Sequence, residues 1–93
     1  MRYEWDEAKN RSNIQKHGID FNDATDLFKH PLLSLIDNRE NYGEERWIGI
    51  GWLRHIIAVV VYTECDDVIR LISARKATKN EVRLYEQRIH HTD

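Results

Sequence analysis

The stretch Val68-Ile69-Arg70-Leu71-Ile72-Ser73-Ala74-Arg75-Lys76-Ala77-Thr78-Lys79-Asn80-Glu81-Val82-Arg83-Leu84-Tyr85 decides the fold, because its period changes halfway along. Residues 68–73 set apolar side chains on two alternating faces, as a strand does, and place the guanidinium of Arg70 among them. Thr78 and Glu81 then stand three apart, the spacing of a capping box, and open a helix over residues 79–89. Val82, Tyr85 and Ile89 share one face of that helix, while Arg83 and Arg88 point to water. Arg70, Arg75 and Lys76 gather at the junction. Two planar donor forks and one point charge suit a branched anion such as a phosphodiester, although a salt-bridged surface shows the same groups. Strand alternation sets Arg70 and Arg75 on opposite faces, so Arg75 is expected to join Arg70 only by a turn at the strand end.

Three more strand-like segments precede this one, at residues 32–36, 46–50 and 56–63, and their short connections predict an antiparallel meander. Residues 56–61 are apolar on both faces and are expected to form the central strand. Gly49 and Gly51 mark a bend or a close approach. Nearer the front, residues 2–5 read as a short edge strand. Asp6 caps a mostly polar helix that runs to about residue 17 and stops at Gly18. Its expected core contacts are Ala8 and Ile14, with Trp5 at its entry. Asp20 caps a second, two-turn helix with Asp23 as a weaker capping-box acid. Ala24, Leu27 and Phe28 are its buried stripe, and Pro31 ends it. Residues 90–93 are expected to fray. The class is α+β: two N-terminal helices, a small antiparallel sheet and a C-terminal helix.

The 93 residues predict a single domain, 1–93, with one small core. A 41% hydrophobic and 32% charged composition is globular, and no apolar run approaches a membrane span. The start lacks a signal-peptide pattern and Cys65 has no second cysteine to pair with, so a cytoplasmic location is expected. The net charge of -2 hides an asymmetry: residues 70–93 hold 6 Lys/Arg against 3 Asp/Glu. The basic end fits a polyanion or a charged partner.

Five strings, Glu4-Trp5-Asp6, Lys16-His17-Gly18-Ile19, Gly43-Glu44-Glu45-Arg46, Val60-Val61-Tyr62-Thr63 and Arg70-Leu71-Ile72-Ser73-Ala74-Arg75-Lys76-Ala77, occur in an order and spacing that resemble the BrnT family. The resemblance covers nearly the whole chain. It implies a RelE-like fold and a ribonuclease toxin of a type II toxin–antitoxin pair that arrests growth by blocking translation. It also implies neutralisation by a DNA-binding BrnA-type antitoxin in a higher-order complex. The chain departs from the family pattern at Cys65, where an Arg is usual, and in the turn Trp52-Leu53-Arg54-His55, which lacks the usual glycines.

Metal-independent RNA cleavage uses the substrate 2′-hydroxyl as nucleophile, so the protein must move protons and stabilise a charged phosphorane. Arg70 and Arg75 are the expected phosphate-stabilising residues. Glu44, paired with Arg46 beside Gly43, is the candidate base, and an ordinary hairpin would display the same pair. Lys76, Arg83, Trp47 and Trp52 are the candidate RNA contacts, the two tryptophans as stacking platforms. His17 is a weaker candidate acid, since a helix C-terminus also explains a cation there. No cofactor or metal is expected. The alternative is an inactive toxin-like module that only binds its antitoxin.

Overall fold

Residues 1–89 are described by a computed structural model, so the expected fraying of residues 90–93 lies outside the described residues. The elements run β1 (Arg2–Glu4), α1 (Glu7–His17), α2 (Phe21–Ala24), a 3-10 turn (Thr25–Lys29), β2 (Leu33–Asp37), β3 (Arg46–Leu53), β4 (Ile56–Cys65), β5 (Val68–Lys76) and α3 (Lys79–Ile89). The five strands form one sheet in the order β1-β5-β4-β3-β2. β2 to β5 are the expected antiparallel meander, with β4 at its centre. The sheet as a whole is mixed rather than antiparallel, because β1 pairs parallel to β5, with Tyr3 beside Ile69. Three residues carry no period from which a strand's direction can be read.

β4 is apolar on both faces because each face meets a separate cluster. Ala58, Val60 and Tyr62 pack with Phe21, Ala24, Leu27, Ile69, Leu71 and Ala74 under the N-terminal helices. Ile57 and Val59 pack with Leu33, Ile50 and Tyr85 under α3, where Val82 and Ile89 add to the contact as their helical spacing requires. Gly49 is closely approached on the first face: a Cβ there would stand 3.0 Å from Leu32 Cδ2 and 3.2 Å from the Tyr62 ring.

α1 is capped by Asp6, which accepts from the backbone of Ala8 and Lys9, and ends at Gly18 in the left-handed region. Its buried face is not the expected one. Ile14 is 39% exposed, whereas Asn10 and Asn13 are buried. Asn13 donates to the carbonyls of Ile19 and Ala74 and accepts from the Ala74 amide, at 2.8, 2.8 and 3.0 Å. Asn10 donates to Asp20 and accepts from the Phe21 amide. β1 pairs with β5 only at residues 68–70, so beyond Arg70 no strand pairs with that edge of β5 among the described residues. Asn13 takes the place of a neighbouring strand for Ala74. The second helix is capped by Asp20 as expected but tightens into the 3-10 turn after four residues. Asp23 pairs with Arg54 at 3.1 Å and serves no capping box.

Candidate active site

β5 carries one residue more than β4 between two of their cross-strand pairs. Val61 faces Ser73 and Tyr62 faces Leu71, which leaves Ile72 as a bulge. The bulge resets the alternation. Arg70, opposite Thr63, and Arg75, opposite Val59, therefore lie on the same face of the sheet, the one toward α3. The strand continues to Lys76, so the expected turn after residue 73 does not occur; the extra residue brings the two arginines to one side instead.

Cross-strand register then draws a charged row over all five strands. Glu4 is beside Arg70, Arg70 beside Thr63, and Asp37 beside Arg46. Trp47 faces Tyr62, so one residue further out Arg46 stands next to Thr63. The two guanidiniums thus rise from strands on either side of Thr63, with Cα atoms roughly 10 Å apart at a strand spacing of about 4.8 Å. Leu35, Ile48 and Val61 form a half-buried apolar floor beside the row. α3 covers the sheet on the far side of that floor.

The four arginines around this floor differ in their partners. Arg75 is held by Glu81 through two bonds of 2.7 and 2.8 Å, while Glu81 also accepts from the Thr78 amide and Thr78 Oγ1 accepts from the Glu81 amide. The capping box and the arginine clamp share one carboxylate. The Arg75 bond, with those from Thr78, holds Glu81 down at about 2 despite the opposing cost of burial. Arg39 is locked in the same manner on the fully buried Asp37 carboxylate at 2.7 and 2.7 Å. That pairing brings Asp37 to about 2, and Arg39 is close enough for its charge to oppose that of Arg75. Arg46 is bonded to Glu44 at 3.2 Å and stacks over Tyr42 at 4.0 Å. Arg70 is exposed and has no ion pair among the described residues, in a shallow cleft with Glu4, Thr63 and Cys65.

Of the residues singled out in the sequence, Arg70, Arg75, Arg46 and Glu44 belong to this face. Trp47 does not: it packs on the opposite face, beside Tyr62. Trp52 is on the α3 face but at its other end, in a groove with His30, Pro31 and Tyr85. Lys76 and Arg83 line a separate groove along α3. Arg39 and Asp37 escaped the sequence reading. A signal was present, since alternation from Leu33 and Leu35 makes Asp37 an inward acid that needs a cation close by. No group of three or more His, Cys, Asp or Glu is placed to hold a metal among the described residues.

Comparisons with known proteins agree with this architecture. The family model for the ribonuclease toxin BrnT of type II toxin-antitoxin systems matches residues 5–81. The crystal structure of the Brucella abortus ribonuclease toxin BrnT aligns with a TM-score of 0.65 and 29% identity, over 85% of this chain and 99% of that one. No curated protein matches the chain. The match to the family model spans most of the sequence and includes the arginine-bearing face, and the chain belongs to the BrnT family of type II toxin–antitoxin ribonuclease toxins.

Proposed function

We propose that this chain cuts RNA endonucleolytically on the open half of its α3 face, without a metal, and that this blocks translation and arrests growth. The observation that carries the reading is the charged row with the arginines around it, of which Arg70 alone has no carboxylate partner among the described residues. A guanidinium left unpaired there is free to meet a phosphate, whereas one already bidentate on a carboxylate is committed. In the reaction the 2′-oxygen bonds to phosphorus as it loses its proton, and the bond to the 5′-oxygen breaks as that oxygen gains one. The products are a 2′,3′-cyclic phosphate and a 5′-hydroxyl. Arg70 stabilises the phosphorane charge, with Arg46 across Thr63 as the second donor fork, while Arg75 and Arg39, each neutralised by its own carboxylate, frame the site. Glu44, hydrogen-bonded to Arg46, is the carboxylate within the set that accepts the proton. The resemblance to the family adds a RelE-like fold and a BrnA-type antitoxin as the neutralising partner. Purified protein incubated with a defined RNA in EDTA tests the reading: new cyclic-phosphate and 5′-hydroxyl ends support it, and intact RNA refutes it.

One observation favours the inactive alternative. Cys65 lines the Arg70 cleft, so the cation usual in the family would have stood beside Arg70 and is missing from that place.

A further inference from the structure

Beyond Arg70, the edge of β5 that no strand pairs with among the described residues is flanked by a groove that the row does not include. Lys9, Ser12 and Lys16 occupy one face of α1 at helical spacing, and with His17 and Ser73 they line it. None of these five side chains has a hydrogen bond or ion pair among the described residues, and the four on α1 are exposed. Helix stability accounts for only part of this. Cations at Lys16 and His17 favour a helix C-terminus, but Lys9 lies in the first turn, where the helix dipole favours an acid. The groove is also firmly built: Asn13, which underlies it, fixes both backbone groups of Ala74, two residues past the bulge. Ser73 joins the groove to the site, since it pairs with Val61 of the apolar floor and is two residues from Arg75.

We propose that Lys9, Lys16 and His17, with the hydroxyls of Ser12 and Ser73, form a second phosphate subsite that holds the RNA strand where it crosses the open edge of β5 from the Arg70 cleft. This rests on the ribonuclease reading. Flexible lysines with hydroxyl donors at a sheet edge suit a sequence-independent backbone contact, and they stand on the opposite side of β5 from the floor that carries the chemistry.

The double variant K9Q/K16Q tests it, because it removes two charges, keeps side-chain length and leaves the core untouched. Binding of a 2′-O-methyl oligoribonucleotide, which has no free nucleophile, is measured by anisotropy across a salt series. Loss of two phosphate contacts makes the log–log salt slope shallower by about 1.4 and weakens binding roughly tenfold or more. Cleavage of ordinary RNA shows the same loss in KM. An unchanged slope overturns the subsite and leaves the groove to a protein partner, while cleavage that still depends on Arg70 keeps the ribonuclease reading intact. If the wild-type protein binds the oligonucleotide with the lysine-dependent slope yet cuts no RNA, the subsite stands and the ribonuclease reading falls.

Discussion

Asn13→Ala should be among the most destabilising single substitutions outside the apolar core, and Ile14→Ala one of the mildest apolar ones. Asn13 is buried and makes three hydrogen bonds to backbone groups that have no other partner strand at hand: the carbonyl of Ile19 and both polar groups of Ala74. Alanine removes the partner of all three at once. At about 1 kcal/mol net per bond, and more where desolvation is not recovered, the loss is about 3 kcal/mol. A domain of this length has a total stability of roughly 5 to 14 kcal/mol, so that is a large fraction. In thermal unfolding it corresponds to a fall of roughly 12 to 24 °C. Ile14 is 39% exposed, and truncating it should cost under about 1 kcal/mol. Urea denaturation of both variants beside the wild type decides the matter. If Ile14→Ala proves the more damaging, α1 docks through its apolar side chains and the amide clamp is incidental.

Thr78→Ala removes the acceptor for the Glu81 amide and should cost about 1 kcal/mol by the same measurement; an unmoved midpoint would mean that Thr78 is not the cap of α3. Glu81 is held at about 2, below its ordinary 4.5, so its contribution is full above pH 4.5 and is lost as pH falls from there toward 2. Glu81→Gln should flatten the acid side of the stability curve in that window, and an unaltered curve would show that the Arg75 clamp does not act in solution. Cys65→Arg returns a cation to the Arg70 cleft and should raise RNA cleavage by about three- to tenfold. Equal rates would place that position outside the substrate's path.

Much of the fold was legible because hydrophobic period and capping chemistry are local. The meander, the central place of β4, the Asp6 and Asp20 caps and the Thr78–Glu81 box all follow from spacings of a few residues. What escaped depends on contacts distant in the chain. The parallel docking of β1 and the burial of Asn13 are set by β5, which is more than fifty residues away. The bulge at Ile72 shows how little sequence it takes to reverse a conclusion: one extra residue, without a glycine to announce it, puts Arg70 and Arg75 on one face rather than two. For the candidate site, charge type was readable and partnership was not. Arg75 and Arg70 look alike in the sequence, yet one closes a helix cap and the other has no ion pair among the described residues. The tryptophans were ambiguous for a similar reason, because strand parity alone decides whether Trp47 meets the core or the cleft.

The central claim is that Arg70 serves the phosphorane and not the scaffold, and the most direct test is Arg70→Lys assayed for RNA cleavage and unfolding on one preparation. Lysine keeps the charge and loses the planar fork, so cleavage should fall roughly 10- to 1000-fold. The unfolding midpoint should hardly move, since Arg70 is exposed and has no ion pair among the described residues. Undiminished cleavage together with a lowered midpoint would contradict the account and make Arg70 a structural residue.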